Sequence, residues 1–363
     1  MEVKRTPSKA YSLPEDKLDA TLVKAKLAAM KAASYVQFMK TIKFLLFPAV
    51  MAAAVTLATP VRAALFPVVV GGRWGFVDKS GSLVINPQFD DAKEFVSGLA
   101  PVKLGPWGYA DTSGKLAINP QFDWAGEFSQ GLAAVQSGGH FGYINSDGKY
   151  VINPQFDDAH AFAEKMGAVK LGKLWGFIDR SGKIIINPQF EDAGDFSEDL
   201  APVKLNGHWG FVNESGKVVI NPQFDEALPF SEDLAAVRLG KSWGFVDSDG
   251  KIVINPQFDE AKSFVSRLAA ARLGKSWGFI DKTGHFAINP QFDDAQSFSE
   301  GTAAVHLGHW GFIDKTGHFV INPQFDEVQP FADGMARFAM GNLFGHKIGY
   351  VGEDGKYVWN PRK

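Results

Sequence analysis

The 363-residue chain has no cysteine. That excludes disulfides, thiolate metal sites and a cysteine nucleophile. Long apolar runs are scarce as well. The one stretch of note, Phe44 to Thr59, is 16 residues long, short of the roughly 18–20 that cross a bilayer. Basic charge is missing from most of the chain. Residues 1–63 hold ten of the 37 Lys and Arg but only four of the 40 Asp and Glu, so the remainder carries 27 against 36, a net of −9. Nucleic-acid binding needs a basic footprint, so nucleic acid is excluded as the main partner.

What the chain has instead is repetition. The sentence W-G-F-I/V-D-x-x-G-K-x-x-I-N-P-Q-F-D-D/E-A-x-x-F-x-x-x-L-A-x-V-x-L-G recurs from Trp74 onward. It opens at Trp74, Trp107, Trp175, Trp209, Trp243, Trp277 and Trp310, with Phe141 and Ile348 opening two degenerate units. Successive spacings are 33, 34, 34, 34, 34, 34, 33 and 38 residues. A fixed period of this kind predicts a stacked array with no single central core. The 38 glycines and 31 phenylalanines trace to it.

The segment before the repeats reads as an address. Met39-Lys40-Thr41-Ile42-Lys43, the apolar run and Pro60-Val61-Arg62-Ala63 form the basic, hydrophobic and small-residue parts of a bacterial signal peptide cut after Ala63. The alternative is an uncleaved membrane anchor over residues 44–59. Residues 1–38 fit neither and read as a gene-call extension or as a helical extension, the Ala-, Lys- and Leu-rich text supporting the latter. The expected division is 1–38, a signal over 39–63, a lead-in strand over 64–73, eight repeats over 74–347 and a half-repeat cap over 348–363.

Within one unit, Ala235, Val237 and Leu239 alternate as a strand does. Trp243 to Val246 reads as a second strand, Asp247-Ser248-Asp249-Gly250 as a tight turn, and Lys251 to Ile254 as a third strand stopped by Asn255-Pro256. Each unit is thus a three-stranded antiparallel meander. Phe258, Ala261 and Phe264 recur every third residue, which suits a single helical turn in the return connection. The period also matches helical tetratricopeptide arrays, but proline in every unit and the D-x-x-G turns argue against paired helices.

The W-G-F-I/V-D-x-x-G-K core with its downstream F-D-x-A-x-x-F resembles the WG-repeat family, also called KWG repeats, over roughly four-fifths of the chain. The resemblance implies β-rich units and a binding role rather than a reaction.

The Trp series, with Phe141 in its place once, reads first as repeat core and second as a row of exposed indoles for sugars. The acidic pairs that follow Phe are the best candidates for chemistry. Asp259, Glu260, Asp293 and Asp294 are the weak calcium candidates, against a reading in which the first acid caps a turn and the second faces water. Glycoside hydrolysis needs two carboxyls in different environments, and identical pairs give no reason for a difference. His285, His306, His309, His318 and His346 cluster late and read as turn or surface residues rather than a metal site. Ser80, Ser113, Ser181, Ser197, Ser215, Ser231 and Ser299 read as turn residues. Specificity must come from departures: Trp124, Phe141, His160, Lys165-Met166 and the insertion Phe338 to His346, in which Phe338, Phe344 and His346 are candidate recognition residues.

The expected architecture is an all-β open solenoid or superhelix, with a closed propeller-like ring as the alternative. The expected function is a non-enzymatic scaffold for a protein partner in the bacterial envelope, periplasmic or secreted, without a cofactor. The alternatives are a module for cell-wall glycan and a calcium-stabilised spacer. Membrane contact is expected only through an uncleaved N-terminal segment.

Overall fold

The glycine of each Trp-Gly step decides how its hairpin is built. In the computed structural model, which describes residues 64–360 apart from 343 and 344, Trp107 opposes Phe122 while Tyr109 opposes Ile118. Two residues on one strand therefore span four on the other, and the surplus Asn119-Pro120-Gln121 bulges over Gly108. A Cβ on Gly108 would lie 2.7 Å from the Pro120 nitrogen, so only glycine admits the bulge. Proline is tolerated there because a bulge removes the ladder bond it could not make. The strand expected to stop at Asn-Pro continues to the phenylalanine.

The return connection is a strand, not a helical turn. Ala92 opposes Val102, the Lys93 amide donates to the Pro101 carbonyl at 2.9 Å, and Val96 bridges Leu99. Positions 92 to 96 thus face positions 102 to 99, and the one extra residue turns both Ala92 and Phe95 inward. The three-residue apolar spacing comes from this bulge rather than from a helix. A two-residue turn in the left-handed region, such as Glu198 (φ 56°) and Asp199 (φ 65°), closes the hairpin.

The units are therefore four-stranded blades. The first blade comprises β1 (Phe66–Val70), β2 (Arg73–Val77) and β3 (Leu83–Phe89). The second comprises β4 (Asp91–Ala92), β5 (Leu99–Lys103), β6 (Trp107–Asp111) and β7 (Leu116–Phe122) in that spatial order. Among the described residues there are nine such sheets, the first three-stranded and the other eight four-stranded. Blades are out of phase with the repeated sentence. Each repeat supplies the third and fourth strands of one blade and the first and second of the next. Only one residue separates the two parts, as Asp90 does between β3 and β4.

The core lies between blades. One cluster joins Trp175, Phe177, Ile186 and Phe190 of the fourth blade to Ala193, Phe196, Ala201 and Val203 of the fifth, and equivalent clusters follow around the chain. First strands touch one another in sequence: Ser129, Ser197 and Ser231 donate their hydroxyls to the carbonyls of Phe162, Phe230 and Phe264 at 2.6–2.7 Å.

The array closes on itself, which corrects the open solenoid in favour of the ring. Phe66 and Val68 of the first blade share a core with Met335 and Tyr350 of the last, and the Tyr350 hydroxyl donates to the Pro67 carbonyl at 3.0 Å, 283 residues away. The seam also repeats the internal contacts. Arg180 lies 3.2 Å from the Cβ position of Gly131, and Lys79 lies 4.0 Å from that of Gly334. The terminal half-repeat is not a cap on a free edge. It supplies the third and fourth strands of the ninth blade, Gly345–Gly352 and Tyr357–Trp359. A closed ring leaves no terminal blade face exposed to water, and that burial is the physical reason it wins over an open stack. The result is a nine-bladed β-propeller. The expectations for residues 1–38 and 39–63, for Phe344, and for the side chain of His346 lie outside the described residues. No helix among the described residues is long and apolar enough to cross a membrane.

Candidate functional site

The Trp series is mostly packing. Trp107, Trp175, Trp243 and Trp277 are buried, while Trp74, Trp209, Trp310 and Phe141 are half-buried. Each of the seven Trp pairs across its hairpin with the Phe of N-P-Q-F, as Trp74 does with Phe89. A first-strand side chain of the same blade covers several indoles: Lys93 over Trp107 at 5.2 Å, Lys262 over Trp277 at 5.3 Å, and the His160 ring 4.7 Å from that of Trp175. Trp124 is the exposed indole, at 36%. It stands where other units carry their second acid and packs on Phe141 at 5.7 Å, with the Lys93 ammonium 4.2 Å above its ring. Two separate departures from the repeat are thus one compensated pair, which linear reading could not join.

The first acid of each pair is a turn cap. Asp259 accepts the Gly274 amide at 2.6 Å and Asp293 the Gly308 amide at 3.0 Å, and Asp90, Asp157, Glu191, Asp225 and Asp326 do the same for their own turns. Glu260 is held by Arg272 at 2.7 Å, and Asp294 accepts the Ala295 amide at 2.7 Å. The four calcium candidates are therefore engaged one by one. No cluster of three metal-ligating side chains occurs among the described residues.

The histidines are local. His285 and His318 meet Thr283 and Thr316 at 2.7 and 2.6 Å, and His306 lies 3.4 Å from Asp293 and 5.3 Å from the Trp310 ring. His309 sits 3.7 Å from Asp326. His160 is hydrogen-bonded to Asp195 at 2.9 Å, and that bond raises its pKa against the effect of burial. A hydroxyl bond within the turn, such as Ser113 to Asp111 at 2.6 Å, is the chief cause that holds Asp78, Asp111, Asp179, Asp281 and Asp314 below the usual carboxylate range. Gly240-Lys241-Ser242-Trp243-Gly244 and Gly274-Lys275-Ser276-Trp277-Gly278 match the letters of a nucleophile elbow, a pattern the sequence reading passed over. Both turns join antiparallel strands, with Leu239 opposite Ser242 and Leu273 opposite Ser276, so neither is the strand-to-helix elbow that exposes a nucleophile.

Phe338 is core, 1% exposed and stacked on Phe325 at 4.6 Å. The insertion it begins lengthens a hairpin: Met335–Asn342 pairs with Gly345–Gly352, and Gly341 opposes His346.

Two surfaces remain available. The last strand of each blade forms one edge of its sheet, and four of the nine present adjacent exposed aliphatics: Leu83-Val84, Ile184-Ile185, Val218-Val219 and Ile252-Val253. The second surface is at the seam. There Glu94, near Arg337, has its pKa pushed up to about 7, mainly by burial. A raised carboxyl pKa contributes stability at low pH that is lost as pH rises through the folded value. Glu94→Gln is therefore expected to match the parent near pH 4 and to exceed it by on the order of 2 kcal/mol at pH 8, measured by urea unfolding at both pH values.

A structure described as the eukaryotic initiation factor is 11% identical, with a TM-score of 0.59, covering 81% of this chain and 95% of that one. At that identity the likeness concerns the fold alone. Hsv2p of Kluyveromyces lactis (10% identity, TM-score 0.40, 71% and 95% covered) and PorZ of Porphyromonas gingivalis (11%, 0.35, 81% and 44%) are more distant. No curated protein matches. The WG containing repeat matches eight times, at residues 74–105, 107–139, 141–175, 175–208, 209–242, 243–275, 277–308 and 310–344, so the chain belongs to the WG-repeat family.

Proposed function

We propose that the ring is a non-catalytic scaffold, exported to the bacterial envelope, that engages a protein partner along its perimeter. The observation that carries this reading is the pair of adjacent exposed aliphatics on four outer edge strands, three of them on successive blades (Ile184-Ile185, Val218-Val219 and Ile252-Val253), with Val84 at 47% and Val253 at 44% exposed. Exposed aliphatics recurring at one position of successive outer strands are the kind of surface that marks protein contact, and the strand edge beside them adds backbone groups for a partner. Export rests on the basic, apolar and small-residue pattern of Met39 to Ala63. Glycan recognition lacks the row of open indoles it needs, and a calcium spacer lacks a cluster of three ligating side chains among the described residues.

The test is a photo-reactive side chain at Val219, activated in living cells that are then fractionated. The expected result is a discrete adduct in the envelope fraction, on a chain whose N-terminus is Ala64. Ile185→Lys, Val219→Lys and Val253→Lys should each leave stability within about 0.5 kcal/mol, yet together abolish the partner's retention. A chain that keeps residues 1–63 would overturn cleavage, and unspecific adducts alone would overturn the scaffold.

A further inference from the structure

Among the described residues eight blades have four strands and the first has three, so β1 has no described partner where β5 carries β4. In the second blade that edge is satisfied by Asp90 N–H donating to the Lys103 carbonyl at 2.8 Å and Lys93 N–H donating to the Pro101 carbonyl at 2.9 Å. One repeat earlier, the matching carbonyls on β1 belong to Val69 and Pro67. Tyr109 and Tyr143, the counterparts of Tyr350, donate their hydroxyls to first-strand carbonyls of the following blade, Gly126 and His160, at 2.8 and 2.7 Å. At the seam the same hydroxyl reaches past the place of a first strand to the Pro67 carbonyl of the second.

Beside β1 lies a cavity of about 560 Å³, lined by Leu65, Phe66, Phe95, Phe331 and Met335, with Glu94 and Arg337 among its polar groups. Its volume is that of an ordinary ligand site. Phe95 is half-buried, whereas its seven counterparts, Phe128 to Phe331, are at most 4% exposed. The eight filled seats share one occupant pattern. A small residue is followed three positions later by phenylalanine, as in Ala92 and Phe95 or Ala261 and Phe264, with Val328 the single replacement of the alanine.

We propose that this edge of β1 binds an extended peptide of a partner protein by strand addition, the peptide carrying a small residue and, three positions on, an aromatic one. Backbone bonds to β1 supply affinity, and the pocket beside Phe95 and Phe331 selects the aromatic side chain. The chain's own Ala58-Thr59-Pro60-Val61 has the spacing but puts valine in the aromatic's place. Cleavage after Ala63 would also remove it. The inference rests on the scaffold reading and names a second contact for it, away from the perimeter.

The probe is a fluorescein-labelled peptide, Asp-Glu-Ala-Lys-Ser-Phe-Val-Ser, copied from residues 259–266. Its anisotropy is followed with the full chain and with a chain begun at Ala64, since residues 60–363 form one compact unit. Saturable binding to both is expected, weakened at least tenfold by alanine in place of the peptide's phenylalanine and by Phe95→Ala in the protein. Slower amide exchange across Phe66–Val70 on peptide addition gives a second readout, independent of how well the Phe95 variant folds. Absence of binding to both chains overturns the proposal. Binding only to the chain begun at Ala64 would assign the seat to the chain's own preceding segment and overturn the partner. Perimeter adducts do not involve this seat, so their survival beside a failed peptide would sink the seat and leave the scaffold standing.

Discussion

Replacing Phe177 with alanine is expected to cost about 3–5 kcal/mol, read as a lowered midpoint in urea. The ring is 1% exposed and packs edge-on against Phe190 of its own blade at 6.5 Å and Phe196 of the next at 4.9 Å. Removing it loses apolar burial and opens a cavity that both blades line, and two β-sheets cannot collapse into that space without breaking their ladders. The same truncation at Ile185, 39% exposed on the fourth strand of the same blade, should stay within about 0.5 kcal/mol. Equal losses at the two positions would show that the cores do not lie between blades.

The second large effect concerns the seam. Lys79 and Asp333 are 254 positions apart in sequence, yet the Lys79 ammonium lies 4.0 Å from the Cβ position of Gly334. A covalent link across this gap closes a loop far longer than 100 residues, and loop-closure entropy then stabilises the ring by roughly 4–5 kcal/mol if the native geometry is undisturbed. The absence of cysteine makes the experiment clean, because a Lys79→Cys, Asp333→Cys pair supplies the only thiols.

Much of this fold was legible in the sequence, and the parts that were not have local physical causes. Period, strand alternation and the D-x-x-G turns place three of the four strands in each blade. The first strand escaped because its bulge puts Ala92 and Phe95 on one face at helical spacing, an imitation of a turn of helix. Asn-Pro misled in the same way: proline ends a regular strand but not one that bulges over glycine, as Pro120 does over Gly108. Ring closure depends on contacts between residues 283 positions apart, such as Tyr350 with Pro67, and no local pattern announces them. At the candidate sites, the acidic pairs drew notice for chemistry because a carboxylate capping a turn in the next blade looks, in one dimension, like a carboxylate with nothing to do. The insertion at Phe338 reads as a recognition element because it breaks the period, whereas it extends a paired hairpin. The Trp124–Phe141 exchange needs the third dimension to be seen as a single feature.

The central claim is that the first and ninth blades meet. The most direct measurement treats the Lys79→Cys, Asp333→Cys protein with a flexible bismaleimide under dilute, native conditions, with a Lys79→Cys, Asp249→Cys pair as the control. A closed ring predicts rapid intramolecular linkage of the first pair, seen as a faster-migrating monomer in denaturing electrophoresis, and none for the control. A folded monomer that links neither pair would contradict the ring and restore the open array.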